Sequence, residues 1–188
     1  MLNEGASMNT ISDTLGPSRK LVKFISDGSQ WATLDANETW VLSLDPCAES
    51  EVSSLGWVLA SFTPETVMEV LDSGVIEGGF EGFCEHLRGN EFFLLDPDVV
   101  ICEKFVSYNR NATPTPLLAE GVVRCVRPDV VLQPSSALSL VSEVQAKALY
   151  PEIRAQGHHR DNLSALRHLL AYLVKNRHKP TLKAIRIS

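Results

Sequence analysis

The stretch Arg127-Pro-Asp-Val-Val-Leu-Gln-Pro-Ser-Ser-Ala-Leu-Ser-Leu-Val-Ser-Glu-Val-Gln-Ala-Lys147 decides how this chain is read. Its two runs rich in Val and Leu predict neighbouring strands, and each carries an acid, Asp129 in the first and Glu143 in the second. An ionised carboxylate in an apolar sheet is costly unless something pairs with it. In the second run Leu138, Leu140, Val144 and Ala146 alternate with Ser139, Glu143, Gln145 and Lys147, with Val141 on the polar side. That period of two predicts a strand with one core face and one face fit for chemistry.

Working outward, "DVVICEKFVSYN" (98–109) reads as a strand, "RNATPTP" (110–116) as a turn and "LLAEGVVRCVRPDVVL" (117–132) as the returning strand. Upstream, "TPETVMEVLDSG" (63–74) predicts a helix, with Thr63 as cap, Pro64 in its first turn and Gly74 closing it. "FEGFCEHLRGN" (80–90) reads as a second helical segment after Gly78 and Gly79. Downstream, Asp161 caps a helix whose Leu163, Leu166, Leu170 and Leu173 recur at helical spacing and which ends before Pro180; "TLKAIRIS" (181–188) reads as a closing strand. "KLVKFIS" (20–26) and "TWVLSLD" (39–45) are short strands around a turn-rich segment, and residues 1–20 have few large apolar side chains.

A chain of 188 residues, 44% hydrophobic and 21% charged, has the size of one ordinary domain. No stretch approaches the ~18 apolar residues of a membrane span, and the first residues do not resemble a signal peptide, so a cytoplasmic protein without membrane contact is expected. Cys47, Cys84, Cys102 and Cys125 form no Cys-x-x-Cys pair, which predicts buried free thiols rather than a zinc site or a disulfide framework. Asn111-Ala-Thr113 fits a glycosylation triplet that such a chain would not use. From Pro151 onward eight Lys/Arg face two Asp/Glu, against nine and twenty-one before it, a local +6 on a chain of net charge -6. Such a segment suits phosphate contact or a solvated helix face.

The predicted order of helix, three strands, helix and strand, with Pro128-Asp129 and Glu143-Val144-Gln145 fourteen residues apart from acid to acid, resembles the PD-(D/E)xK nuclease superfamily. His168 and Tyr172 in "HLLAYL" are similar to the Gln-x-x-x-Tyr element of the nuclease domains of bacterial recombination exonucleases, and Glu103 in "CEKFVSY" to part of their first hairpin. The resemblance implies a mixed α/β fold, a restriction-endonuclease-like αβββαβ core with a central mixed sheet flanked by helices. The core would span 61–188, after a flexible 1–20 and a β-rich N-terminal extension, 21–60. It further implies that Asp129 and Glu143 hold Mg²⁺ or Mn²⁺, with the Val144 carbonyl and, from the preceding helix, Glu85 rather than Glu81 as further ligands. The family lysine is replaced by Gln145; Lys147 lies two residues on. Arg160, Arg167, His168 and Tyr172 would contact nucleic acid.

A hard cation held by two carboxylates would polarise a phosphoryl oxygen and activate water. The expected function is therefore a metal-dependent nuclease hydrolysing phosphodiester bonds, in DNA more than RNA. The alternative is an inactive nuclease-fold module that binds nucleic acid or a protein partner in a defence, mobile-element or viral assembly. Pro97-Asp98 is set aside as a metal site, because the nearest acid, Glu103, falls on the same predicted strand. His158, His159, His168 and His178 repeat no ligand spacing.

Overall fold

The segment "TWVLSLDP", Thr39–Pro46, is buried at every position but its first, as expected of a strand covered on both faces. It is β1, the middle of a five-stranded sheet in a computed structural model that describes residues 37–46, 55–90, 93–106, 114–156 and 160–187. β1 pairs antiparallel with β2 (Leu55–Phe62) over its whole length, and β2 pairs antiparallel with β3 (Glu69–Ile76). On its other side β1 runs parallel to β4 (Val99–Lys104), which runs parallel to β5 (Val131–Pro134). The order is β3-β2-β1-β4-β5.

Period-two alternation divides the core in two. Val41, Val58, Ala60 and Ile101 point to one face, where α4 (Asp161–Lys175) lays down Leu163, Leu166, Leu169, Leu170 and Leu173. Leu42, Leu44, Leu55, Val100 and Cys102 point to the other, against Phe83 of α1 (Gly79–Gly89) and Ala119 and Val123 of α2 (Thr115–Val126). A 3-10 segment (Ser135–Leu140), α3 (Glu143–Leu149) and α5 (Lys179–Ile187) complete the described elements.

The class expected from sequence, a mixed α/β fold with a central mixed sheet between helices, is the class observed. The element order differs from αβββαβ, and residues 39–62, expected in an extension and at the start of the core, are the two central antiparallel strands. Residues 1–20 and "KLVKFIS" lie outside the described residues, as do Cys47, the Asn111 triplet, His158 and His159.

Four local expectations are corrected. The helix over 63–74 is a turn followed by β3: the Thr63 hydroxyl accepts from the N–H groups of Glu65 and Thr66, which is cap chemistry used to close a hairpin. The returning strand over 117–126 is helix α2, with Pro116 in its first turn and Ala119, Glu120 and Val123 buried on one side. The strand through Glu143 is α3, begun by a capping box in which Gln145 N–H donates to the Ser142 hydroxyl and the Gln145 side chain accepts from Ser142 N–H. Val144, which a strand would bury, is 75% exposed. The last segment is a helix because Pro180 sits in its first turn, where the missing N–H costs nothing.

Candidate metal centre

The register of β1 against β4 ends at Leu44 opposite Cys102, so the next residues, Asp45 and Glu103, stand side by side at the carboxyl ends of two parallel strands. Ligands of open α/β sheets gather outside such ends. Alternation turns both acids to the face that carries Val41 and Ile101, beneath α4. On α4, Asp161, Ser164 and His168 are spaced i, i+3 and i+7, one side of a helix, and that side meets the sheet. One ligand atom each from Asp45, Glu103 and His168 all lie within 4.8 Å of one another. Asp45 and His168 are buried, and Glu103 is partly so.

Asp161, at the start of α4, stands outside that three-residue cluster but near enough for its charge to act on Asp45. Its backbone crosses β2 at Gly56, the residue paired with Asp45 across the ladder: a Cβ on Gly56 would lie 2.0 Å from the Asp161 carbonyl carbon. On β5, Gln133 is buried and donates to the His168 carbonyl at 3.1 Å, which ties the middle of α4 to the sheet. Glu120 of α2, also buried, accepts from Phe105 N–H just beyond β4 at 3.0 Å.

The electrostatics follow from crowding acids in a dry place. Burial pushes the Asp45 carboxyl well above its ordinary value, and the neighbouring Glu103 and Asp161 push it the same way, opposed by the Ser164 hydroxyl. Burial also pushes Glu103 up, but His168 and Asp45 outweigh it and leave that carboxyl below its ordinary value. The Cys102 thiol behind them is raised by burial and by the carboxylates of Glu120, Asp45 and Glu103. His168 Nε2 is 3.6 Å from Glu103 Oε2, and neither ring nitrogen, although buried, has a hydrogen-bond partner. A buried imidazole without a hydrogen bond is expensive. Two carboxylates and one such imidazole converging at ligand range fit a divalent cation, which would satisfy the ring and offset the acids together.

Of the residues singled out in the sequence, the structure brings His168 to this centre. Asp129 is instead an exposed turn residue chelated by Arg127 (Nε to Oδ1 2.9 Å, Nη2 to Oδ2 2.8 Å), an interaction that holds its pKa down at about 2. Glu143 opens α3 and pairs with Lys147 at 2.6 Å and with Arg160; Lys147 first, then Arg160, hold its carboxyl below the ordinary range. Gln145 is occupied as the capping side chain, and Val144 points to solvent. Glu85 is exposed on α1, across the sheet from α4. Arg167 donates to the carbonyls of Val141 and Leu138, and Tyr172 packs against the α4 core. The thiols also divide: Cys102 is buried, whereas Cys125 is exposed.

Asp45, Glu103 and Asp161 fall within predicted strands and a predicted helix, but outside the metal site that the sequence resemblance implies. The available signal was an acid ending each of two otherwise apolar strands, "WVLSLD" and "VVICE".

The mixed sheet, with α4 packed on the face that carries Val41 and Ile101, is a fold shared with solved nuclease structures. No protein-family model matches the chain, and no curated protein matches it in sequence. Among solved structures it is similar to Thermus thermophilus RuvC in complex with a Holliday junction substrate, with a TM-score of 0.57 at 14% identity over 76% of this chain and 98% of that one. A second Thermus thermophilus RuvC structure aligns with a TM-score of 0.51 at 19% identity, covering 73% and 97%. Among the described residues no helix is long and apolar enough to cross a membrane.

Proposed function

We propose that the protein is a metal-dependent nuclease that hydrolyses phosphodiester bonds in DNA, with its centre at Asp45, Glu103, Asp161 and His168. The observation that carries this reading is the convergence of Asp45, Glu103 and His168 within 4.8 Å in a buried place where the imidazole has no other partner. The neighbour of the same fold takes a Holliday junction as substrate, which supports DNA over RNA.

Asp45 and Glu103 would hold the cation through oxygen, with His168 adding a nitrogen and Asp161 a further carboxylate. Carboxylates suit Mg²⁺ and Mn²⁺, and the added imidazole favours the softer Mn²⁺. When bound, the ion supplies Lewis acidity toward a phosphoryl oxygen and a water acidic enough to attack phosphorus. The chain supplies the rest. The Gln133 bond to the α4 backbone fixes His168 against Glu103. Arg160, immediately before Asp161 and exposed, offers a guanidinium for the neighbouring phosphates.

The test is incubation of the full chain with a four-way DNA junction, linear duplex, single-stranded DNA and RNA, in Mn²⁺, Mg²⁺ or EDTA. We expect cleavage of DNA that needs the cation and falls to the EDTA level in Asp45→Asn and in Glu103→Gln. Cleavage that persists in both variants, or absence of cleavage on every substrate, overturns the reading.

A further inference from the structure

We propose that Gly56 and Asn162 are positioning residues that set the Asp161 carboxylate beside Asp45 from opposite sides, a claim that rests on the metal-centre reading above. Gly56 acts from the sheet. It sits inside β2 with ordinary strand pairing, directly across from Asp45, so the strand itself does not call for glycine. A Cβ there would stand 2.0 Å from the carbonyl carbon of Asp161, 2.2 Å from its oxygen and 2.4 Å from Asn162 N, all backbone atoms that cannot swing away. Glycine inside a strand costs stability and side-chain packing, and close approach of another backbone is a recognised reason to keep it. Here the approaching backbone is the first turn of α4.

Asn162 acts from the other side. It is 1% exposed, its amide oxygen accepts from Gln156 N–H at 2.7 Å and its amide nitrogen donates to the Arg154 carbonyl at 2.8 Å. Both anchors lie in the chain that leads into the helix. Immediately before the helix, Arg160 adopts the left-handed conformation (φ 61°, ψ 45°), unfavourable for a residue with a Cβ, and its carbonyl accepts the N–H groups of Leu163 and Ser164. Thus Asn162 ties the first turn of α4 to residues 154 and 156, and the helix is let down onto β2 by the missing side chain of Gly56. The same two contacts fix where Asp161 stands relative to its ladder neighbour. A ligand carboxylate misplaced by about 1 Å loses its contribution.

The experiment titrates Mn²⁺ calorimetrically into the metal-free full chain, with circular dichroism on each variant to confirm folding. We expect Gly56→Ala and Asn162→Ala each to weaken Mn²⁺ binding at least tenfold. Both effects should vanish in an Asp161→Asn background, because the two residues act only through that carboxylate. Gly74→Ala, in β3, places its Cβ 3.2 Å from the Trp57 ring and serves as the strand-glycine control; it should leave Mn²⁺ affinity unchanged. If Gly56→Ala does not fold, Asn162→Ala, which adds no bulk between helix and sheet, carries the cycle alone. Wild-type affinity in folded Gly56→Ala and Asn162→Ala, or losses that add fully to that of Asp161→Asn, overturns the proposal. Wild-type affinity in Asp161→Asn also overturns it, yet spares the metal centre as long as Asp45→Asn abolishes binding. Mn²⁺ affinity unaffected by Asp45→Asn sinks the metal reading itself.

Discussion

His168 has no exposed surface and no hydrogen-bond partner for either ring nitrogen, in the middle of a helix otherwise lined with leucines. Judged only by stability, a leucine would serve better, since a buried polar group left unsatisfied costs about 1–3 kcal/mol. His168→Leu is therefore expected to stabilise the metal-free protein by on the order of 1 kcal/mol, read as a raised denaturation midpoint, while Mn²⁺ binding weakens sharply. A variant that is destabilised and still binds Mn²⁺ like wild type would show the ring to be a packing residue and nothing more. Asp45 poses the same conflict at the neighbouring position, because burial and the adjacent acids all oppose its charge. Such local conflicts collect where function overrides stability.

At the scale of elements, α3 and α4 meet through Glu143, which holds both Lys147 and Arg160 at the surface. Exposed pairs of this kind add little to stability, so their consequence is electrostatic. In the proposed nuclease Glu143 would compete with phosphate for two cations next to the start of α4. Glu143→Gln keeps a neutral side chain of the same length and releases both. DNA affinity, measured by anisotropy in EDTA, should rise several-fold, and the slope of log K against log salt should steepen by up to about 2. An unchanged slope would mean that neither cation reaches the backbone.

The elements also show what the sequence could disclose. β1 and β4 were legible as apolar runs, and α4 as a leucine periodicity with Asp161 at its start. By contrast, α2 is not legible in the sequence, because "LLAEGVVRCV" is rich enough in β-branched residues to suit either state, and only packing of Ala119 and Val123 against the sheet decides it. Thr63-Pro64 offered a good helix start, yet pairing with β2 drew 69–76 into a strand. The centre was harder still. Residues 45, 103 and 168 come together through sheet register and helix packing, and adjacent parallel strands impose no spacing in sequence, whereas Asp129 and Glu143 offer a spacing without a shared face.

For the whole molecule, the centre is a local liability in a fold whose net stability is expected to be only ~5–15 kcal/mol. Asp45, Asp161 and His168 are buried together between the sheet and its principal helix, where apolar residues would pack without electrostatic cost. A cation bound there acts on the entire domain, because α4 covers one face of the sheet and contacts β1, β2, β3 and β4. Binding to the folded state alone adds about 2.7 kcal/mol at a hundredfold excess over Kd. In a domain of this size that corresponds to a rise in midpoint of roughly 5–10 °C. Scanning calorimetry of the metal-free protein with increasing Mn²⁺ should show that rise, growing with the logarithm of concentration. Asp45→Asn should start from a higher metal-free midpoint, since it removes a carboxyl whose ionisation burial and the neighbouring acids oppose, and should respond to Mn²⁺ weakly or not at all. A surface cation effect would instead raise both proteins equally. That outcome, or no rise in wild type, would leave the buried acids and His168 without a counter-charge and would count against a metal centre beneath α4.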